Sequence, residues 1–157
     1  MNPFSTVDIL IAGVGHELMG DDALAHAVLT RLERDGLPPG VRLFDAGPAP
    51  QDMLVELGGI KKLIVVDALT GVATGTVAVK RFPAMAPLPE QHGSLSHGLS
   101  LIQTLCLARE LFPEIEILII GAGIAPAAAQ GITLSDALRE RIPALIALIH
   151  EELRRAA

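Results

Sequence analysis

Three stretches constrain the fold more than anything else in the chain. VDILIAGVG (7–15), KKLIVVDAL (61–69) and EIEILIIGAG (114–123) carry continuous apolar runs and stop at glycines or at an aspartate. A strand open to water on one face alternates apolar and polar residues, whereas these runs read as strands covered on both faces. Amphipathic patterns lie between them. DALAHAVLTRLERDG places Leu24, Val28 and Leu32 four apart on one helical face and ends at Gly36. QDMLVELG predicts a short helix, and HGLSLIQTLCLARELF a longer one. TLSDALRERIPALIALIHEELRR predicts a closing helix capped by Thr133 and kinked at Pro143. Its apolar stripe is Leu138, Ile142, Leu145, Ile149 and Leu153. VRLFDAG (41–47) adds a short strand. GTVAVKRF (75–82), reached through the turn-like LTGVATG, adds another whose polar end suits a sheet edge.

Strands alternating with helices predict an α/β fold. The expected architecture is three-layer α/β/α, with a mainly parallel twisted sheet of about five strands and one antiparallel edge strand. No repeat, linker or low-complexity segment divides the chain, so residues 1–157 are expected to form a single domain. The segment PAMAPLPEQHGSLS (83–96) is rich in Pro and Gly, has no period, and reads as a long loop of the kind that often carries function.

Composition removes several classes of function. Half the residues are hydrophobic, which excludes disorder. Aromatics make up 3%, with no Trp or Tyr, so stacking platforms for single-stranded nucleic acid are missing. The net charge is -6 with no basic run, which argues against duplex binding, and no nucleic-acid partner is expected. Cys106 is the single cysteine; it excludes an internal disulfide and a thiolate zinc cluster, and its apolar helical setting predicts a buried structural thiol. MNPFSTVDIL has no export signal, and no apolar run is long enough to span a bilayer. These features predict a cytoplasmic monomer with no membrane partner.

The stretch GVGHELMGDDA (13–23) poses the functional question. A dinucleotide fingerprint needs G-x-G-x-x-G, but its third position is Leu18; a P-loop needs Gly-Lys-Ser/Thr, which is absent. Asp21 and Asp22 bring negative charge to a helix N-terminus and would repel a phosphate there. Helix capping explains one aspartate, but two adjacent ones cannot both cap the same N–H groups, so the other is open to a second task.

In a parallel α/β sheet, ligands bind beyond the carboxyl ends of the strands. Asp21 and Asp22 follow the first strand, Asp45 ends the second, Asp67 ends the third, and His97 opens the helix after the long loop. Asp67, directly after LIVV, is expected to be partly desolvated and to need a partner or a metal, unless it caps the next turn. His97 reads either as an ordinary first-turn residue or as a ligand. Two carboxylates and an imidazole would make a three-ligand site with open positions, suited to a first-row transition metal. His92 is a reserve ligand, His16 is close enough to line the site, and His26 and His150 read as surface or packing residues.

With these residues in order along the chain, the sequence resembles the nickel–iron hydrogenase maturation endopeptidases over most of its length. The family's opening strand and Gly-x-Gly-Asn turn, followed by an acidic pair, match GVGHELMGDDA, which places its first metal-contacting carboxylate on Asp22. Its D-G-G segment corresponds to Asp45-Ala46-Gly47, and its I-V-D-A strand end to Asp67 in VVDA. Its histidine after a Pro-rich loop falls on His97 in SLSHGLSL, and a late G-I-Q-P-like turn on Gly123-Ile124-Ala125-Pro126. The chain departs from the family at His16, which stands where Asn is usual, and at Ala46, where the middle glycine is missing.

The resemblance implies a protease dedicated to one substrate. It would remove the C-terminal extension of a hydrogenase large-subunit precursor after nickel insertion, and would recognise the nickel that the substrate carries. Asp22, Asp67 and His97 would be both the catalytic and the metal-contacting residues, with Asp45 and Gly47 selecting the substrate. Nickel would come with the precursor, so the protein's own site would be empty or hold a surrogate divalent ion. The chain has no nucleophile elbow and no HExxH motif, in keeping with that mode of action. Two other readings use the same residues differently: a metallochaperone or assembly factor that binds metal without cutting, and a nucleotide-binding module.

Overall fold

The computed structural model describes residues 7–83, 98–125 and 131–156. Five strands form one sheet in the order β2-β1-β3-β5-β4. They are β1 (Ile9–Val14), β2 (Val41–Gly47), β3 (Lys62–Thr74), β4 (Val77–Arg81) and β5 (Glu116–Gly123). β1 pairs in parallel with β2 and β3, and β3 with β5, while β4 runs antiparallel along the outer edge of β5. The sheet has the expected mainly parallel character and antiparallel edge.

Both faces are covered, which explains the unbroken apolar runs. Ile9, Ile11, Ile64, Val66 and Ile120 face a core built with α1 (Leu24–Asp35) and α4 (Ile142–Arg155). Their sequence neighbours Leu10, Ala12, Leu63, Val65 and Ile119 face a second core with α2 (Leu101–Leu111) and the 3-10 helix Pro50–Glu56. Strand residues alternate between two cores rather than between core and water. Leu24, Val28 and Leu32 are fully buried, as their spacing predicts, and Cys106 is 2% exposed.

One strand and three helices differ from expectation. LTGVATG, read as a turn, is largely the second half of β3, which runs on to Thr74. The QDMLVELG helix is of the 3-10 type. The closing helix is two helices, α3 (Asp136–Arg139) and α4, with Ser135 rather than Thr133 as the cap of the first. Pro143 lies in the first turn of α4 instead of kinking a longer helix. Proline has no N–H to donate and its ring clashes with the carbonyl four residues back, so the helix stops and restarts there. The third helix to differ is α2, which begins after Ser100 rather than at residue 97. Ser100 and Gln103 form a reciprocal capping box, with Gln103 N–H donating to Ser100 Oγ at 3.2 Å and Ser100 N–H to Gln103 Oε1 at 2.9 Å.

At the amino ends of the strands, Lys62 is buried and donates to Glu152 Oε2 at 2.9 Å, while Arg155 holds the other Glu152 oxygen at 2.8 Å. This ties α4 to β3 at the pole opposite the candidate site.

Candidate active site

β1 and β3 are neighbours, and the chain leaves β1 toward β2 on its other side. The carboxyl ends of β1 and β3 therefore flank the switch point of the sheet, where open α/β folds bind ligands. The glycines of GVGHELMGDDA serve packing at this point. A Cβ on Gly13 would come within 2.7 Å of Leu29 Cδ1 on α1. Gly15 has φ +135°, and a Cβ there would overlap the Asp22 carbonyl oxygen. The two glycines let α1 and the acidic turn close onto β1.

The acidic pair lies in a 3-10 turn, Gly20–Ala23, ahead of α1. Neither aspartate caps α1, whose N-cap, Ala23, has no side-chain hydrogen bond. This replaces the capping expectation. Asp21 is 3% exposed and accepts from the Ser135 backbone N–H at 2.7 Å, which anchors the start of α3. Asp22 is partly buried and turns back toward β1, where its Oδ2 accepts from the His16 backbone N–H at 2.8 Å. One acid is thus committed to structure, and the other remains at the sheet edge.

Asp67 lies in register with Gly121 and does not end its strand as expected: β3 runs on to Thr74, and Asp67 sits in its middle, one residue past the parallel pairing with β1, where the turn bearing Asp22 packs against β3. Burial, reinforced by the Asp22 charge, pushes the Asp67 carboxyl from 3.8 up to about 7, with the Ala68 N–H partly opposing this. The structure therefore brings Asp22 and Asp67 together. The third sequence-derived member, His97, lies outside the described residues, as do His92 and Pro126. Among the described residues, no three His, Cys, Asp or Glu side chains form a set that could hold a metal ion.

β5 ends GAG for a steric reason. A Cβ on Gly121 would overlap the Asp67 carbonyl oxygen, and one on Gly123 would overlap that of Ala73. The β3 backbone that carries Asp67 is pressed directly against these glycines.

Asp45 ends β2 at a register shift, where Gly13 pairs with Asp45 and Val14 with Gly47. Its Oδ1 accepts from Gly47 N–H at 3.0 Å, and Gly15 N–H donates to Gly47 O at 2.9 Å. Asp45 and Gly47 thus join the same loop cluster as Asp22. Ala46 is buried in the second core and has no positive φ, so this position does not require glycine. His16 also accounts for its place. Its Nδ1 accepts from the Leu18 N–H two residues on, at 3.2 Å, closing the turn that Asn commonly closes through its side-chain oxygen.

Two residues of the cluster were not singled out from sequence. His26 Nδ1 lies 2.8 Å from Asp45 Oδ2, and His26 Nε2 lies 3.5 Å from Glu17 Oε2. No helix among the described residues is long and apolar enough to cross a membrane.

Comparison with known proteins agrees with this fold. The chain resembles hydrogenase maturating endopeptidase HybD from Escherichia coli, with a TM-score of 0.77 and 25% identity over 96% of this chain and 94% of that one. It resembles the [NiFe] hydrogenase maturation protease HycI from Thermococcus kodakarensis KOD1, with a TM-score of 0.73 and 25% identity over 96% and 95%. A curated Methanocaldococcus jannaschii protein assigned to the hydrogenase maturation proteases is 45% identical over 64 residues, which span 40% of this chain and 42% of that protein. The family model for hydrogenase maturation protease (HycI) matches residues 26–152, a span that contains Asp45 and Asp67 and begins just after Asp22. With most of the chain inside that match and the fold shared, the chain belongs to the hydrogenase maturation protease family.

Proposed function

We propose that this protein is the endopeptidase that removes the C-terminal extension of a nickel–iron hydrogenase large-subunit precursor after nickel insertion, recognising nickel held by that precursor. The observation that carries the reading is the Asp22–Asp67 pair at the switch point, with Asp67 raised to about 7. Two carboxylates that disfavour each other's charge are relieved by an arriving cation, so a nickel-loaded precursor would bind better than an empty one.

Asp22, Asp67 and His97 contact the nickel directly or through water, and this contact holds the scissile bond at the strand ends. The substrate's nickel polarises the carbonyl or activates the attacking water. One of the site carboxylates takes the water's proton as general base. Asp45 and Gly47, on the same loop cluster, select the precursor.

The test is intact mass of the precursor after incubation with Asp22→Asn, Asp67→Asn and His97→Ala, each checked for folding by circular dichroism. The expected result is a full-length precursor with each variant and a shortened one with the wild type. Normal processing by folded Asp67→Asn and His97→Ala would overturn the site assignment. Nickel-dependent binding by the wild type without any loss of mass would favour the metal-binding assembly factor.

A further inference from the structure

The Asp45 carboxylate is held from two sides, by Gly47 N–H at Oδ1 and by His26 Nδ1 at Oδ2. The opposite ring nitrogen of His26 faces Glu17. A neutral imidazole has one N–H and one lone pair, so with Nδ1 donating to Asp45 its Nε2 lone pair would meet a carboxylate. The protonated ring satisfies both neighbours. Because its two nitrogens point to different carboxylates, one metal ion cannot be shared by all three side chains. Glu33, on α1 itself, lines the recess of about 300 Å³ that His26 and Asp45 share.

On the other side of Asp45 lies a recess of about 320 Å³ between the loop after β1 and the end of β2, bounded by Glu17, Asp45, Gly15, His16 and Gly47. His16 is the residue whose N–H holds Asp22, so anything in this recess lies next to the candidate active site. The His26 ring links the two carboxylates at the recess, Glu17 on the loop and Asp45 on the strand.

We propose that His26 is a positioning residue for precursor selection: its protonated ring clasps Glu17 and Asp45 across this recess and holds the Asp45 carboxylate in the orientation that receives the precursor's C-terminal segment. This inference rests on the protease reading and on the selecting role given to Asp45. His26, Glu17 and Asp45 are all partly exposed, so the effect on precursor affinity is modest, about five-fold.

The experiment measures kcat and KM for nickel-loaded precursor with wild type, His26→Ala, His26→Gln and Asp45→Asn, with melting temperatures as a control. His26→Ala should raise KM about five-fold with kcat unchanged. His26→Gln, which still donates to Asp45, should recover part of the loss. Asp45→Asn should raise KM at least as much. A His26→Ala enzyme with the wild-type KM, a change confined to kcat, or an Asp45→Asn enzyme of normal KM would overturn the inference alone. A wild type that leaves the cognate precursor uncut would overturn the protease reading and this inference with it.

Discussion

Asp67→Asn should stabilise the protein at alkaline pH, although it removes a residue placed at the heart of the site. The folded state holds the Asp67 proton at about 7 and the unfolded chain at about 3.8. Between these values the folded state binds more protons, so stability falls as pH rises. The contribution is fully present below about pH 4 and lost as pH passes through about 7. At 1.36 kcal/mol per pH unit, the whole span is worth about 4 kcal/mol, and the part between pH 5.5 and 8.5 about 2 kcal/mol. Asparagine has the same shape and no charge. The unfolding free energy of Asp67→Asn minus that of the wild type should therefore grow by about 2 kcal/mol from pH 5.5 to 8.5. Taking this difference cancels the titrations common to both proteins. The chain has no Trp or Tyr, so urea unfolding is best followed by far-ultraviolet circular dichroism. Asp22→Asn should narrow the difference by a smaller amount, because burial outranks the Asp22 charge among the causes. A difference that is flat across this range, or that shrinks as pH rises, would refute the desolvation argument.

Other consequences can be read at the bench. Gly121→Ala should cost about 3 kcal/mol or more, because its Cβ meets β3 backbone rather than a yielding side chain; urea melts measure this, and a loss under about 1 kcal/mol would contradict the close approach. Asp21→Ala leaves the Ser135 N–H without its acceptor and should cost about 1–3 kcal/mol, while processing by the folded fraction continues; loss of processing at full stability would mean the two acids have been assigned the wrong way round. Lys62→Met should destabilise by about 1–3 kcal/mol at pH 7, because the buried Glu152 carboxylate loses one partner while Arg155 still holds its other oxygen. Burial raises the Glu152 carboxyl, but Lys62, Arg155 and Arg81 together pull it below its ordinary 4.5, so the stabilisation they provide is present above that value and lost as pH falls. The Lys62→Met deficit should accordingly shrink in acid, and a deficit independent of pH would contradict the pairing.

The layers of the fold were legible because burial on both faces leaves a plain mark. Strands such as LIVV and ILII cannot be open to water on either side, and the α1 stripe is fully buried where its period places it. The edge position of β4 was legible from its polar end, KR. Helix starts were less legible, because they depend on partners distant in sequence. Asp21 looks like a cap in its local setting, yet its acceptor serves Ser135, 114 residues away. Pro143 signals an interruption, but local sequence does not distinguish a kink from a restart. At the site, Asp67 was legible as a carboxyl following the apolar run LIVV, although β3 runs on past it to Thr74, and Asp22 by its position after β1. The role of Ala46 was hidden because the register shift at the end of β2 arises from pairing with β1. His26 was hidden for a similar reason: its partners, Glu17 and Asp45, come from a loop and a strand that only the folded sheet brings to α1.

The most direct test of the central claim is the intact mass of the cognate large-subunit precursor, in nickel-loaded and nickel-free forms, before and after mixing with the wild-type protein. The account predicts loss of a short C-terminal peptide from the nickel-loaded form and an unchanged mass for the nickel-free form. Cutting of both forms alike would contradict recognition through nickel, and cutting of neither would contradict the protease.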